Sequence, residues 1–171
     1  TGNGFSVSND TVCVGDEVMF NDFSTSTARN IHWDFGDGGT ANNTINPRHT
    51  FMTPGCYNVS IDRTFNNCNT HYTNPECLLV LPRPTVSFSA DRKLGCSLPH
   101  NVNFTSIATN AVSYRWEFGI NGQDGTSFDP NPTWNFNRYE NYPVRLVVKN
   151  AAGCTAEFID TIKVFELVAN Y

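Results

Sequence analysis

Residues 31–38, Ile-His-Trp-Asp-Phe-Gly-Asp-Gly, decide how this chain folds. Apolar side chains occupy alternate positions at Ile31, Trp33 and Phe35. That alternation predicts a half-buried β-strand, with Trp33 facing a core. The Gly-Asp-Gly that follows predicts a tight turn, because glycine accepts positive φ and Asp-Gly suits a hairpin. We therefore interpret the stretch as a buried strand and its turn, and not as a catalytic or metal-binding motif.

The same pattern returns in the second half of the chain. Trp33-Asp34-Phe35-Gly36 matches Trp116-Glu117-Phe118-Gly119 at an offset of 83 residues. Further matches follow in the same order, at Phe5 and Phe88, Cys13 and Cys96, Asn46-Pro47 and Asn131-Pro132, Tyr57 and Tyr142, and Cys68 and Cys154. This order indicates two copies of one module. We expect the copies to span residues 1–83 and 84–171, with Pro82-Arg83-Pro84 as an extended connector.

Composition and periodicity both favour strands over helices. The chain contains 22 Asn and 18 Thr but only 7 Leu and 6 Glu. Segments such as Tyr57-x-Val59-x-Ile61 alternate with a period of two, and none has a convincing helical period. Short strands separated by turn residues predict an all-β chain of two tandem β-sandwiches. The expected core aromatics are Trp33, Phe35, Tyr57, Trp116, Phe118 and Tyr142.

The charge and hydropathy patterns exclude several classes of partner. The chain carries 11 basic and 16 acidic residues, which gives a net charge of −5. This balance argues against a nucleic-acid or anionic-membrane surface. The longest apolar run, residues 77–81, is too short to cross a bilayer. Because the chain begins at Thr1 without Met, we expect a processed form or a segment of a longer protein.

The six cysteines predict disulfide bonds and an oxidising location. Their number is even and no Cys-x-x-Cys pair is present, which argues against a zinc knuckle. The second copy holds only two cysteines, so the simplest bond there is internal, and the repeat then assigns the corresponding bond in the first copy. The two remaining cysteines flank a hairpin centred near residues 66–67. We therefore expect the bonds Cys96–Cys154, Cys13–Cys68 and Cys56–Cys77.

Three motifs in order resemble the PKD (polycystic kidney disease) domain. They are Trp33-Asp-Phe-Gly-Asp-Gly38, Asn46-Pro-x-His-x-Phe51 and Pro54-Gly-x-Tyr-x-Val-x-Ile61. The second copy departs from the pattern after Gly119 and carries Trp134 where the first has His49. The resemblance implies immunoglobulin-like sandwiches of about seven strands each. Their cysteine spacing is similar to that of PKD modules in large surface proteins of gliding, type IX-secreting Bacteroidota.

The resemblance also implies a function. It suggests non-catalytic extracellular modules that form a stalk, spacer or adhesive segment of a large cell-surface protein, such as a gliding-motility adhesin. Expected partners are neighbouring domains of the same polypeptide, and polysaccharide or surface proteins. The alternative is an accessory polysaccharide- or protein-binding module of a secreted hydrolase. Because no catalytic constellation recurs in the two copies, we expect no enzyme activity, cofactor, nucleic-acid partner or membrane insertion.

Trp134 and Asp124 form the candidate ligand surface, because they lie where the second copy differs from the first. Trp134 replaces His49, so the repeat does not need imidazole chemistry, and we interpret His49 as structural. An aromatic ring near a polar loop could contact a sugar or a protein. The competing interpretation, which we favour, is that Trp134 covers the edge of the sandwich.

Two further kinds of site are suggested by the resemblance. Some PKD-like modules bind calcium, but the acidic residues here lack the Asp-x-Asp-x-Asp-Gly ligand spacing, so we expect turn roles for Asp16, Asp34, Asp37, Asp124 and Asp129. Asp10-Thr11-Val12 and Asp160-Thr161-Ile162 are similar to O-glycosylated sites of Bacteroidota. Thr11 and Thr161 are therefore candidate glycan acceptors.

Overall fold

The computed structural model describes residues 4–24, 28–66 and 68–167. The chain divides into two compact units, Thr1–Pro82 and Arg83–Tyr171. Across the described residues the regular elements are strands, apart from one 3-10 turn at Ile120–Gly122. No helix among them is long and apolar enough to span a membrane. The predicted all-β fold class is confirmed.

Unit 1 is built from two layers of short strands. The described strands are β1 (Phe5–Val7), β2 (Thr11–Cys13), β3 (Glu17–Asp22), β4 (Asn30–Asp34), β5 (Thr40–Asn42), β6 (Arg48–Thr50), β7 (Gly55–Tyr57), β8 (Ser60–Thr64), β9 (Asn69–Thr73) and β10 (Leu78–Leu81). One layer has the order β1-β3-β6. The other consists of β5-β4-β8-β9 together with β2-β10-β7.

Unit 2 repeats this arrangement with longer strands. They are β11 (Thr85–Ala90), β12 (Leu94–Gly95), β13 (His100–Thr109), β14 (Ser113–Phe118), β15 (Gly125–Ser127), β16 (Thr133–Phe136), β17 (Asn141–Lys149) and β18 (Thr155–Val164). One layer has the order β11-β13-β16 and the other β12-β18-β17-β14-β15. Thus β17 takes the place of β7 and β8, and β18 that of β9 and β10.

The interruption between β9 and β10 in unit 1 has a local cause. The intervening residues are Asn74-Pro75-Glu76-Cys77, and Pro75 has no N–H to donate to a neighbouring strand. Asn74 donates its N–H to the carbonyl of Val59 at 3.0 Å, and regular pairing resumes only at Leu78. Unit 2 lacks a proline in the matching part of β18, which therefore runs unbroken.

Each unit has its own core, centred on a tryptophan. Trp33 and Trp116 are both fully buried, in separate clusters of apolar side chains. Trp33 pairs with Ile61 across β4 and β8, and Trp116 pairs with Leu146 across β14 and β17. The indole N–H of Trp33 donates to the carbonyl of Thr44 at 2.8 Å. That of Trp116 donates to the carbonyl of Asp129 at 2.9 Å.

The other expected core aromatics show one difference between the units. Phe35, Phe118 and Tyr142 are buried, whereas Tyr57 is half-buried and packs against the core from its margin. Its hydroxyl donates to the carbonyl of Thr53 at 2.9 Å. The hydroxyl of Tyr142 makes the same bond, four residues back, to the carbonyl of Arg138 at 2.9 Å. Both tyrosines therefore anchor the chain that precedes their strand.

A buried ion pair joins the two layers of unit 1. Arg63 points inward from β8 and binds the carboxylate of Asp22 on β3, and both side chains are 1% exposed. Arg63 Nε donates to Asp22 Oδ2 at 3.0 Å, and a second donor, Nη2, binds Oδ1. Burial opposes ionisation of Asp22, but hydrogen bonds from Arg63 and Ser24 outweigh it and lower the pKa of the carboxyl group.

The cysteine pairing differs in part from the expectation. Cys56 and Cys77 form the predicted disulfide, with their Cα atoms 5.4 Å apart, because β7 and β10 lie side by side. Cys68 and Cys96 are exposed free thiols, so the predicted bonds Cys13–Cys68 and Cys96–Cys154 are wrong.

The physical reason for the error lies in where these residues sit. Cys68 lies in the turn between β8 and β9, where its carbonyl accepts the Phe65 N–H at 2.8 Å. Cys13 instead ends β2, on the far side of β10 from β7. The repeat shows which cysteine of one module corresponds to which cysteine of the other. It does not show that two cysteines of the same module are in contact. Cys13 and Cys154 are each disulfide-bonded.

Candidate functional site

The candidate ligand surface lies where β14 turns into β15. Gly119 has a φ of 75° and Gly125 a φ of 134°, so the chain leaves and re-enters the sheet at residues that suit a glycine. The Asp124 N–H donates to the Phe118 carbonyl at 3.0 Å and closes the loop. The extra residues of the second copy form the 3-10 turn at Ile120–Gly122 within this loop.

Trp134 covers the end of the core beneath this loop. Its ring stacks on Phe118, with centroids 4.1 Å apart and planes 9° apart. Its edge also lies against Gly125, where an added Cβ would come within 2.5 Å of two ring carbons. One face of the half-buried ring is therefore occupied by protein and is not available to stack on a sugar. This geometry agrees with the interpretation that Trp134 covers the sandwich edge.

His49 performs the same packing in unit 1. It stacks on Phe35 with centroids 4.1 Å apart and planes 6° apart. Its Nε2 lies 2.8 Å from Asp37 Oδ2, while Asp37 Oδ1 accepts the Gly39 N–H at 2.9 Å. Burial opposes ionisation of Asp37, but the bonds from His49 and Gly39 prevail and lower the pKa of its carboxyl group. His49 is thus tied into the turn that follows β4, and its neighbours supply no nucleophile.

Asp124 is held in the loop by one ion pair. Its Oδ1 lies 2.5 Å from Arg138 Nη2, and Arg138 also contacts Glu140 at 2.6 Å. The other oxygen, Oδ2, is buried and accepts no hydrogen bond from the described residues. It lies against Gly119, where an added Cβ would be only 1.9 Å away. Asp124, within the loop, and Trp134, on β16 beneath it, therefore each pack against one glycine of the loop.

A groove on the other side of the loop was not predicted from the sequence. Its volume is about 210 Å³, and it is lined by Glu117, Gly119, Ile120, Asn121, Pro143, Arg145 and Ile159. Ile120 and Ile159 are 62% and 55% exposed at its rim. One side of the groove is formed by three residues that pair across neighbouring strands, Glu117, Arg145 and Ile159. The corresponding residues of unit 1 are Asp34, Ser60 and Thr73. The one signal in the sequence was this exchange of small polar residues for large ones.

The charges in the groove neutralise one another. Glu117 is 7% exposed although it faces outward from β14. It pairs with Arg145 at 2.8 Å and with Arg115 at 2.9 Å, and Arg145 also pairs with Glu157. Side-chain bonds to Glu117 and Glu157 raise the pKa of Arg145. A groove with paired charges and apolar walls suits an uncharged group better than an ion.

The remaining aspartates stabilise turns. Asp34 accepts the Gly36 N–H at 2.8 Å, Asp16 accepts the Cys13 N–H at 3.0 Å, and Asp129 accepts the Asn131 N–H at 2.9 Å. Within residues 4–24, 28–66 and 68–167, no three His, Cys, Asp or Glu side chains are grouped as a metal ion would need.

The two candidate glycan acceptors occupy different surroundings. Thr11 is exposed on β2, while Thr161 is half-buried within β18. The Thr161 N–H donates to Asp160 Oδ1 at 2.8 Å, and Asp160 Oδ2 lies 2.5 Å from Lys93. A glycosyltransferase has freer access to Thr11, and glycosylation of either residue stays a prediction.

Comparison with known proteins identifies the family. The PKD-domain family matches residues 6–73 and again residues 85–161. The PKD1 domain of the Vibrio cholerae metalloprotease PrtV is 31% identical, covering 48% of this chain and 98% of its own, with a TM-score of 0.41. The PKD1 domain of Vibrio anguillarum Epp is 27% identical, covering 50% and 96%, with a TM-score of 0.41. No curated protein matches the chain. The chain belongs to the PKD family and consists of two PKD domains in tandem.

Proposed function

We propose that these tandem PKD domains are a non-catalytic stalk or spacer segment of a large extracellular protein. The observation that carries the proposal is that both units use their distinctive side chains for packing. The aromatic residues at the candidate site, Trp134 and His49, are stacked on the core, and the aspartates close turns. PKD modules are non-catalytic immunoglobulin-like domains, and such modules suit the holding of other domains at a distance.

The extracellular location rests on chemistry as well as on family. The Cys56–Cys77 disulfide persists in an oxidising environment and is rare in the cytosol. An assignment to a gliding-motility adhesin of type IX-secreting Bacteroidota rests on the similarity of cysteine spacing and on the exposed Asp10-Thr11-Val12 motif. Glycosylation at Thr11 would add a bulky polar group to an edge strand and protect it from pairing with other chains.

The groove favours a second candidate function, that of a binding module attached to a secreted hydrolase. Ile120 and Ile159 could contact an uncharged part of a polysaccharide or peptide. This surface occurs in unit 2 and not in the matching row of unit 1. A binding function would therefore belong to one module, whereas a spacer function uses both.

Two measurements test these functions. Antibodies raised against the chain should label intact, unpermeabilised cells of the source organism; labelling only after lysis would contradict the extracellular proposal. Glycan and peptide arrays should then be probed with the wild-type chain and with Ile159→Thr, which installs the residue of unit 1. Ile107→Thr is the matched control, because Ile107 is 60% exposed on the opposite layer of the same unit.

The spacer function predicts no saturable binding by any of the three proteins. Binding that is lost in Ile159→Thr and kept in Ile107→Thr would replace the spacer with the binding module. Binding that survives both substitutions would indicate a ligand site elsewhere on the chain.

A further inference from the structure

The outward face of β8 and β9 in unit 1 carries a carboxylate, an imidazole and a hydroxyl in contact. Asp62 pairs with His71 across the two strands, and Thr73 lies two residues after His71 on the same face of β9. Asp62 Oδ1 lies 2.6 Å from His71 Nδ1, and His71 Nε2 lies 3.0 Å from Thr73 Oγ1. This is the geometry of a nucleophile, a general base and an orienting acid. We call the three residues the β9 triad.

The register of the two strands brings the side chains of the β9 triad together. The Asn74 N–H donates to the Val59 carbonyl at 3.0 Å, so these two residues form a hydrogen-bonded pair of the ladder. The two kinds of pair alternate, so His71 and Asp62 form a non-hydrogen-bonded pair, whose side chains lie closer together. The same alternation directs the Thr73 N–H away from β8, and β9 is the last strand of its described sheet. That N–H can therefore donate to an oxyanion formed at Thr73.

The hydrogen bonds of the β9 triad assign the protons of the ring. The ionised carboxylate of Asp62 only accepts hydrogen bonds, so Nδ1 of His71 carries the proton that this bond needs. In the neutral ring Nε2 then has no proton and accepts the hydrogen of the Thr73 hydroxyl. His71 is therefore placed to take that proton when the oxygen attacks, and Asp62 stabilises the imidazolium that forms.

The other two histidines of unit 1 have different partners. His32 Nδ1 lies 2.7 Å from the amide oxygen of Asn42, and His49 Nε2 contacts the carboxylate of Asp37. Neither histidine contacts a hydroxyl group among the described residues. In unit 2, the residues that correspond to the β9 triad are Val147, Glu157 and Ile159. The triad is thus a feature of unit 1, on the sheet face that carries the groove in unit 2.

We propose that the β9 triad is an acyl-transfer site, at which the Thr73 hydroxyl takes up the acyl group of an activated ester or thioester. The side chains of His71 and Asp62 are 61% and 54% exposed, so an acyl donor carried by a large molecule has direct access. The inference goes beyond the stalk function, because it gives one module a point of covalent attachment.

The reaction is one acyl transfer without a change of oxidation state. Thr73 Oγ1 attacks the carbonyl carbon of the donor and forms the new C–O bond, while its proton moves to His71 Nε2. The bond to the leaving oxygen or sulfur then breaks, and the leaving atom keeps the electron pair and takes the proton from Nε2. Thr73 becomes an ester and His71 returns to its neutral form.

The test measures acylation of individual residues in the whole chain. The free thiols Cys68 and Cys96 are first blocked with N-ethylmaleimide, since thiolates also attack esters. The chain is then treated with p-nitrophenyl acetate at neutral pH and quenched rapidly. Peptide mass spectrometry measures the acetyl ester at each threonine, and hydroxylamine treatment confirms that it is an ester.

Thr40 is the matched internal reference for Thr73. It is exposed on the same face of the sheet, in the cross-strand row that runs from Thr40 through Asp34 and Ser60 to Thr73. Among the described residues, no histidine is bonded to the Thr40 hydroxyl. The two hydroxyls therefore differ in the presence of a neighbouring general base.

The proposal predicts at least about tenfold faster acetylation of Thr73 than of Thr40, the gain being limited because water screens an exposed site. His71→Gln and Asp62→Asn should each reduce acetylation of Thr73 to the level of Thr40, whereas Thr40→Val should leave it unchanged. Equal acetylation of both threonines in the wild-type chain would overturn the proposal. Selective acetylation of Thr73 that survives His71→Gln would do the same.

A second measurement follows the position of the proton on the ring and does not depend on reactivity. The nitrogen NMR shifts of His71 should show the proton on Nδ1 in the wild-type chain. In Asp62→Asn the amide group can donate to Nδ1, which favours the tautomer with the proton on Nε2. A wild-type ring with its proton on Nε2 would overturn the proposal. Either failure leaves the surface-labelling and array results unaffected, so the stalk function is tested separately.

Discussion

At the scale of single residues, the two units differ in the buried pair Arg63 and Asp22. Unit 2 has Val148 and Ser106 at the same places, since Phe5 pairs with Asp22 as Phe88 pairs with Ser106. A buried ion pair contributes little net stability, because desolvation offsets the attraction, but removing one partner leaves an uncompensated charge. The comparison between units therefore supplies a matched experiment.

We expect Asp22→Asn to lower the free energy of unfolding of unit 1 by about 3–5 kcal/mol, because the buried Arg63 loses the carboxylate of Asp22. The double change Asp22→Ser/Arg63→Val installs the residues of unit 2 and should leave stability within about 1 kcal/mol of wild type, or raise it. Urea unfolding of both variants measures the difference. A double variant as unstable as Asp22→Asn would show that the ion pair itself is needed.

The same carboxyl group predicts a loss of stability in acid. The folded-state pKa of Asp22 is lowered, so its contribution is complete above the unfolded value of about 3.9 and is lost as the pH falls through the folded pKa. The drop in unfolding free energy between neutral pH and about pH 3 should be smaller in the double variant than in wild type. An unchanged drop would assign the acid sensitivity to other groups, such as Asp37.

Sequence reasoning located the inward residues but not all of their partners. Alternation placed Trp33 in the core, and the same alternation places Arg63 inward, two residues after Ile61. Nothing local indicates that Asp22, 41 positions away, would reach it. An ion pair between layers depends on how the sheets pack, which a period of two does not specify.

At the scale of elements, the β14–β15 loop depends on a glycine that contacts an aromatic ring. Gly125 combines a φ of +134° with a contact that would put an added Cβ 2.5 Å from Trp134. Gly153 in the same unit has a φ of +93°, but its nearest neighbour would be 3.7 Å away. Comparing alanine at these two places separates backbone strain from steric overlap.

Gly125→Ala should lower the melting temperature of unit 2 more than Gly153→Ala does. Both substitutions cost about 1–3 kcal/mol in backbone strain, and overlap with Trp134 adds a similar amount at Gly125. Adding Trp134→Ala to Gly125→Ala should recover part of the overlap cost, although Trp134→Ala alone exposes Phe118. Equal effects of the two glycine changes would mean that the ring moves aside without cost.

The strands were easier to predict from the sequence than the shapes of the loops between them. The motif at residues 31–38 specified β4 and its turn because every residue agrees with one local structure. The groove beside Ile120 was missed, because it forms from the faces of three strands and a loop whose shape depends on Asn121 at a φ of 54°. Positive φ at a non-glycine residue has only a weak sequence signal.

At the largest scale, the described residues form two separate cores, one in each unit. The cluster around Trp33 draws on residues 5–80, and that around Trp116 on residues 86–164. Each tryptophan contacts aromatic neighbours, Phe5 and Phe20 in unit 1 and Phe88 and Phe104 in unit 2. Removing either indole should therefore act mainly on its own unit.

We expect Trp33→Ala and Trp116→Ala each to cost about 3–5 kcal/mol, through lost burial and the resulting cavity. Calorimetry should show one shifted transition in each variant, and limited proteolysis should cut first within the altered unit. If Trp33→Ala left the stability of unit 1 unchanged, its central place in the core would be wrong. If both units lost stability equally, they would unfold as one.

The tandem organisation was predictable from the sequence, whereas the disulfides were only partly so. Matches in the same order in both copies, such as Trp33 with Trp116, indicate the repeat. The Cys56–Cys77 bond was predicted from the hairpin that these two cysteines flank. The pairing of Cys96 with Cys154 was inferred from their being the two cysteines of one copy. Pairing requires two sulfur atoms in contact, and membership of one module does not provide that.

Hydrogen exchange at the indole N–H groups of Trp33 and Trp116 can measure how often each unit opens. Both N–H groups lie on fully buried rings and donate to backbone carbonyls, of Thr44 and of Asp129. Their hydrogens can exchange with deuterium in the solvent only when the surrounding sandwich opens. The two indole signals, followed in one sample dissolved in heavy water, therefore record the opening free energies of the two modules side by side.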